Sequence, residues 1–192
     1  MSQNKVAQFK VALIVGSTRR ESINRKLGQA LVKLGKDKLD FQLVQIDDLP
    51  LYNQDNETEL PPSVVRFKSE IAAADALLFV TPEHNRSIPA ALKNAIDWGA
   101  RPWGKNNWTG KIAAVTGASP GAISTALAQQ HLRQILGAQG VLLMGGEAYI
   151  NFKPGMLGAD DTVTDQATRG FLTSFIDQFA ALVARFTAKT PA

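Results

Sequence analysis

Residues 9–34 read FKVALIVGSTRRESINRKLGQALVKL. The first seven form an apolar run of strand length, bounded by Gly16, which suits a strand buried on both faces. From about Asn24 to Leu34 the pattern changes to helical spacing, with Leu27, Ala30, Leu31 and Leu34 on one face. A buried strand, a polar loop and an amphipathic helix make one β-α unit.

The same unit recurs along the chain. Phe41–Ile46 is a second apolar run, closed by Asp47, Asp48 and Pro50. Pro61 and Pro62 then start a helix ending near Ala74. Ala76–Thr81 stops at Pro82, and a helix follows from about Pro89 to Trp98. Lys111–Thr116 enters the turn Gly117-Ala118-Ser119-Pro120-Gly121, followed by a helix from about Ser124 to Leu136. Val141–Met144 enters Gly145-Gly146. A loop over 151–163 precedes a last helix, about Thr164 to Phe186. Five alternating units predict a parallel sheet covered by helices on both faces. With no linker, composition shift or repeat, residues 1–192 read as a single domain. Ligands of such sheets bind outside the strand carboxyl ends, so the loops after strands one, three and four carry the functional expectation.

Composition narrows the classes. Of 192 residues 45% are apolar and 20% charged, as in ordinary globular proteins. The net charge of +4 is too mild and dispersed to indicate nucleic-acid binding. There is no cysteine and only two histidines, His84 and His131, which excludes thiol chemistry and cysteine metal sites and disfavours a histidine-rich one. No apolar stretch approaches the ~20 residues of a membrane span. The first ten residues carry no secretory pattern, so a cytoplasmic protein is expected.

The first loop, Gly16 to Asn24, offers hydroxyls at Ser17, Thr18 and Ser22 and cations at Arg19 and Arg20, ahead of a helix N-terminus. Those parts make a phosphate cradle. Ser22 as a plain N-cap, with the arginines in water, explains the loop equally well. The loop lacks G-x-G-x-x-G and the P-loop pattern, so a dinucleotide on a Rossmann turn and an NTPase are both disfavoured, and a monophosphate fits best. The third-strand loop, Thr81 to Pro89, is stiffened by two prolines and can present backbone groups to a planar heterocycle. Gly117 to Gly121 matches the G-x-S-x-G nucleophile elbow. Against a serine hydrolase stand Pro120, which lacks the oxyanion N–H, and the absence of an acid between Ser119 and His131. Ser119 better suits hydrogen bonding to a bound ring. All three tryptophans fall within 97–108. Trp98 reads as packing onto the sheet, while Arg101 and Trp103 are placed near a cleft at the strand carboxyl ends.

The G-S-x-R-x-x-S-x-N loop at Gly16 to Asn24 resembles the phosphate loop of the NAD(P)H-dependent FMN reductases. TPEHNRSIPAALKNAIDW, Thr81 to Trp98, resembles the same family's isoalloxazine-loop block, and HLRQIL at 131–136 is similar to its bacterial chromate- and quinone-reducing branch. The resemblance spans about residues 9–186. It implies a flavodoxin-like three-layer sandwich with a five-stranded sheet in order 2-1-3-4-5. It implies non-covalent FMN, NADH or NADPH as hydride donor, and reduction of quinones and other small acceptors, chromate included. It implies a homodimer or a homotetramer built as a dimer of dimers, with His131 and Arg133 near a subunit contact. By matching motif, Ser17, Arg19, Ser22, Ile23 and Asn24 surround the FMN phosphate. Pro82, Glu83, His84, Asn85 and Arg86 lie along the isoalloxazine, Ser119 completes the ring site, and Arg101 is the candidate for anionic substrate or donor phosphates. His84 departs from the family's usual tyrosine. No metal and no catalytic side chain are expected, because flavin N5 carries the chemistry. A one-electron carrier of flavodoxin type is the rival within the class.

Overall fold

A computed structural model of the chain describes residues 8–187. Six strands and five α-helices alternate: β1 (Phe9–Val15), α1 (Ile23–Gly35), β2 (Leu39–Val44), α2 (Pro62–Ala73), β3 (Ala76–Val80), α3 (Ala90–Ala100), β4 (Ile112–Ser119), α4 (Ala126–Ala138), β5 (Leu142–Leu143), β6 (Tyr149–Asn151) and α5 (Gln166–Thr187). All pairings within the sheet are parallel, in the order β2-β1-β3-β4-β5, with β6 attached to β4. The alternating pattern predicts the parallel sheet with helices on both faces, and the order is that of the flavodoxin-like sandwich the family resemblance implies.

The period-two alternation of the strands divides the core into two layers. Val11, Leu13 and Val15 face α1 and α5, where Leu27, Leu31, Ile176 and Phe179 cover them. Ala12 and Ile14 face the opposite layer, with Phe67 and Ile71 of α2, Leu92 of α3 and Leu132 of α4. β1, β3 and β4 are therefore apolar throughout. Trp98 is fully buried with its indole N–H donated to the Pro50 carbonyl at 2.7 Å, as its packing role predicts.

Three local departures bear on the site. The expected fifth strand is split: Leu142–Leu143 pair with Ile112–Ala113, Gly146 turns at φ 81°, and Tyr149–Asn151 return to pair with Gly117–Ser119. Gly117 is accordingly strand rather than turn. A Cβ there would lie 2.0 Å from the Thr81 carbonyl oxygen, so glycine is what lets β4 run on beside β3's end. α4 begins two residues later than its pattern suggests, because Ser124 adopts φ 51°, outside the helical region. Its hydroxyl donates to the Ile150 carbonyl at 2.7 Å instead.

Candidate active site

The carboxyl ends of β1, β3 and β4 meet at a cavity of about 420 Å³. Gly16 leaves β1 with its N–H on the Val80 carbonyl at 2.9 Å. A side chain there would press on Thr81 and Leu92, at 3.0 and 3.1 Å, so the loop passes close to β3. Ser17, Arg19, Ser22 and Ile23 all line the cavity. Ser22 has the N-cap role that the sequence allows and also stands at the cavity. It caps α1, its Oγ accepting from the Arg25 N–H at 3.2 Å, and it borders the cavity. The first turn of α1 contains no acidic residue, so its positive end stays unneutralised.

Asn24 also serves the architecture of the site. It lines the cavity and is buried, but both ends of its carboxamide are engaged. Nδ2 donates to the Ala118 carbonyl at 2.9 Å, and Oδ1 accepts from the Ala118 N–H at 2.8 Å. It clips α1 to β4, using one of its two amide N–H groups and its carbonyl oxygen.

The β3–α3 loop departs more widely. His84 and Ser87 exchange both backbone hydrogen bonds at 2.9 Å, across Asn85 and Arg86 at φ 48° and 66°. That is a type I′-like turn with neither central residue glycine. The His84 N–H is therefore engaged within the turn. Pro82, Glu83 and His84 border the cavity, and Asn85 and Arg86 lie beyond its lining. The Glu83 carboxylate points the other way. Its Oε2 accepts from the Leu127 and Ala128 N–H groups at 3.0 and 3.1 Å, and its Oε1 accepts from Arg86 at 3.1 Å. It ties the loop to the start of α4.

Ser119 lines the cavity, with its Oγ accepting from the Gly121 N–H at 3.2 Å. His131 Nδ1 is 2.9 Å from Ser87 Oγ, not beside Ser119. With Gly117 in a strand as well, the hydrolase alternative has neither its elbow nor its base. Arg133, expected near a subunit contact, donates to the Met144 and Gly146 carbonyls of its own chain at 2.8 and 2.7 Å. Phe152 is a wall residue that the sequence pattern missed. Its N–H donates to the Ser119 carbonyl at 2.9 Å, so the return strand β6 carries it to the cavity. The only signal was the short YINF run, which reads as the start of a loop.

Arg101 lies away from this cavity. α3 starts beside the cavity and runs back along the sheet for 11 residues, about 16 Å at 1.5 Å each. Within one chain Arg101 therefore lies at the strand amino ends. Its Nε donates to Glu57 Oε1 at 2.6 Å and to the Tyr52 hydroxyl oxygen at 3.1 Å. The Tyr52 hydroxyl donates to Glu57 and, with Arg101, lowers that carboxyl's pKa. Arg101 and the exposed Trp103 border a separate cleft of about 780 Å³. A third cavity, about 640 Å³, lies between β6 and α5, but the start of α5 is already met by Asp165, which accepts from the Thr168 N–H at 2.7 Å.

Residues 9–155 match the family model for NADPH-dependent FMN reductase. The chain is 45% identical to a 2-hydroxy-1,4-benzoquinone reductase of a Burkholderia species, over 91% of this chain and 96% of that one. It is 48% identical to a quinone reductase of Pseudomonas putida, over 91% and 95%. Among solved structures, the flavoenzyme NAD(P)H:(acceptor) oxidoreductase FerB of Paracoccus denitrificans superimposes with TM-score 0.90 at 46% identity, covering 93% of this chain and 98% of that one. An archaeal flavodoxin, at TM-score 0.61 and 16% identity, shares the fold alone.

Proposed function

Because the chain belongs to the NADPH-dependent FMN reductase family, we propose that it is a quinone reductase that binds FMN non-covalently at the carboxyl ends of β1, β3 and β4. One observation carries the placement. The unneutralised start of α1, the Ser17 and Ser22 hydroxyls and the Arg19 guanidinium all border the same cavity. Among the described residues Arg19 makes no hydrogen bond or ion pair, so its fork of donors is free for an oxyanion. The relatives named for benzoquinone and quinone reduction support the acceptor class.

FMN, when bound, supplies the two-electron chemistry between NADH or NADPH and the acceptor. The protein's part is placement. Arg19, Ser17, Ser22 and the Ile23 N–H hold the phosphate, while Pro82 and Ser119 border the ring. Phe152 shields a wall from water. Glu83 and Asn24 act as positioning residues, fixing the second and third loops relative to α4 and α1. No side-chain acid or base is assigned to the cavity. The proposal extends to chromate as a further acceptor, to one domain spanning the chain, and to a homodimer or a dimer of dimers.

The test separates phosphate from ring. Arg19→Ala should weaken FMN about tenfold or more, the worth of one charged hydrogen bond, and leave riboflavin nearly unchanged. Fluorescence titration of the flavin-free protein reads both. Equal weakening of the two ligands would remove the phosphate from this loop.

A further inference from the structure

α3 turns one face to the core, with Leu92, Ile96 and Trp98 buried, and leaves another bare. Ala90, Lys93, Asp97 and Ala100 recur at helical spacing along the outer side. Reversing that stripe end for end exchanges Ala90 with Ala100 and Lys93 with Asp97. The stripe is therefore its own complement in charge and in size, as a two-fold contact requires. Lys93 and Asp97 pair within the chain at 2.8 Å, and both remain open to approach from outside.

A cavity lies at each end of the stripe. At the start, Ile88, Ala90 and Ile135 form the apolar part of a hollow of about 540 Å³, which His84, Lys93 and His131 also line. His84 borders the first cavity as well, so one residue stands between the two spaces. At the far end, Asp97 and Ala100 line the cleft that Trp103 borders. Trp103 is 88% exposed. Its backbone is nonetheless fastened. Arg101 is held by Glu57 and Tyr52, Lys68 Nζ donates to the Arg101 and Lys105 carbonyls at 2.6 and 3.0 Å, and the Asn107 N–H donates to the Gly99 carbonyl at 2.9 Å. A large aromatic ring held in water on a fixed backbone loses little freedom when a partner covers it, which is the character of an interface anchor.

We infer that a second copy of this chain packs on the stripe, antiparallel about a two-fold axis, with Trp103 of each copy seated in the hollow beside the partner's His84. In that register each Lys93 meets the partner's Asp97, and the four charges close a ring. Exposed ion pairs add little affinity, but they fix orientation and register. Trp103 follows Ala100 by three residues. That brings it level with the partner's Ser87, three residues before Ala90 and part of the lining of the hollow. The indole then packs on Ile88, Ala90 and Ile135 and supplies the affinity that the charges do not. It also backs the His84 side chain from the side away from the first cavity. The inference rests on the reading that FMN occupies that cavity, and it makes one wall of the flavin site depend on the partner. Arg101, which reaches no flavin within its own chain, acts here by fixing the base of the loop that presents Trp103.

Sedimentation velocity of the full-length protein over a dilution series tests the face. The wild type should have the mass of a dimer or of a multiple of it. Trp103→Ala should weaken association about thirtyfold or more, as loss of an anchor does. Lys93→Glu and Asp97→Lys should each weaken it about threefold or more, by setting like charges opposite one another. Mixed together, those two variants should form a heterodimer tighter than either alone, because every charge again meets its opposite. A pair confined to one chain gives no such rescue. Trp98 and Trp108 are fully buried, so indole emission should shift to the red on dilution of the wild type and not of Trp103→Ala. A monomeric wild type would overturn the inference, as would undiminished association of Trp103→Ala or the absence of a preferred heterodimer. Flavin titration reads the site. FMN and riboflavin should both bind about threefold or more weakly once the copies separate, since His84 stands on the ring side of the cavity. Affinities indifferent to association would overturn the partner's part in the site. An Arg19→Ala loss equal for the two flavins is a different failure, that of the phosphate reading, and leaves the masses unaffected.

Discussion

Asn24 shows how one side chain can serve a site without touching a ligand. Its carboxamide closes a two-bond ring with the Ala118 backbone, joining residues 94 apart in sequence. Asn24→Ala would orphan a buried N–H and a buried C=O, at a cost of about 1–3 kcal/mol. A lower urea midpoint at unchanged slope should report it. The phosphate-loop motif puts Asn24 beside the FMN phosphate, and the structure shows it lining the cavity while bonded to Ala118. What local spacing does not show is which partner claims an amide that suits an oxyanion and a backbone unit equally. Arg101 illustrates the same gap on a larger scale. Its position just after a helix that begins at the site says nothing until the helix direction is added.

Among the elements, α4 depends on a carboxylate from another loop. Thr125 offers it no side-chain cap, and Glu83 takes the Leu127 and Ala128 N–H groups instead. Glu83→Gln keeps an acceptor and removes the charge. It should cost about 0.3–1 kcal/mol, nearer 2 if burial strengthens the charge–dipole term, and appear as a lower Tm. The strands, by contrast, are legible because burial on both faces leaves continuous apolar runs, as in FKVALIV and ALLFV. β6 is not, because three residues after a Gly-Gly turn have no periodicity to read. Phe152 was lost with it.

For the whole molecule, loop 157–163 is fastened to α1 by Asp160. Thr162 and Lys33 donate to its carboxylate, at 2.6 and 3.2 Å, and hold its pKa down at about 2. A depressed carboxylate contributes stability that is complete above its ordinary value of 3.8 and is lost as pH falls through about 2. The wild type should therefore exceed Asp160→Asn in urea midpoint at pH 5 by a margin that shrinks toward pH 2, and a margin constant across that range would contradict the assignment. The return of β6 to the end of β4 has a consequence for biosynthesis. The walls of the candidate cavity come from Gly16, Pro82, Ser119 and Phe152, among others. A nascent chain on the ribosome can complete the first two β-α units long before the fourth wall exists. With FMN placed there as proposed, flavin loading waits until Phe152 has emerged, because a chain halted before that point lacks one wall of the cavity.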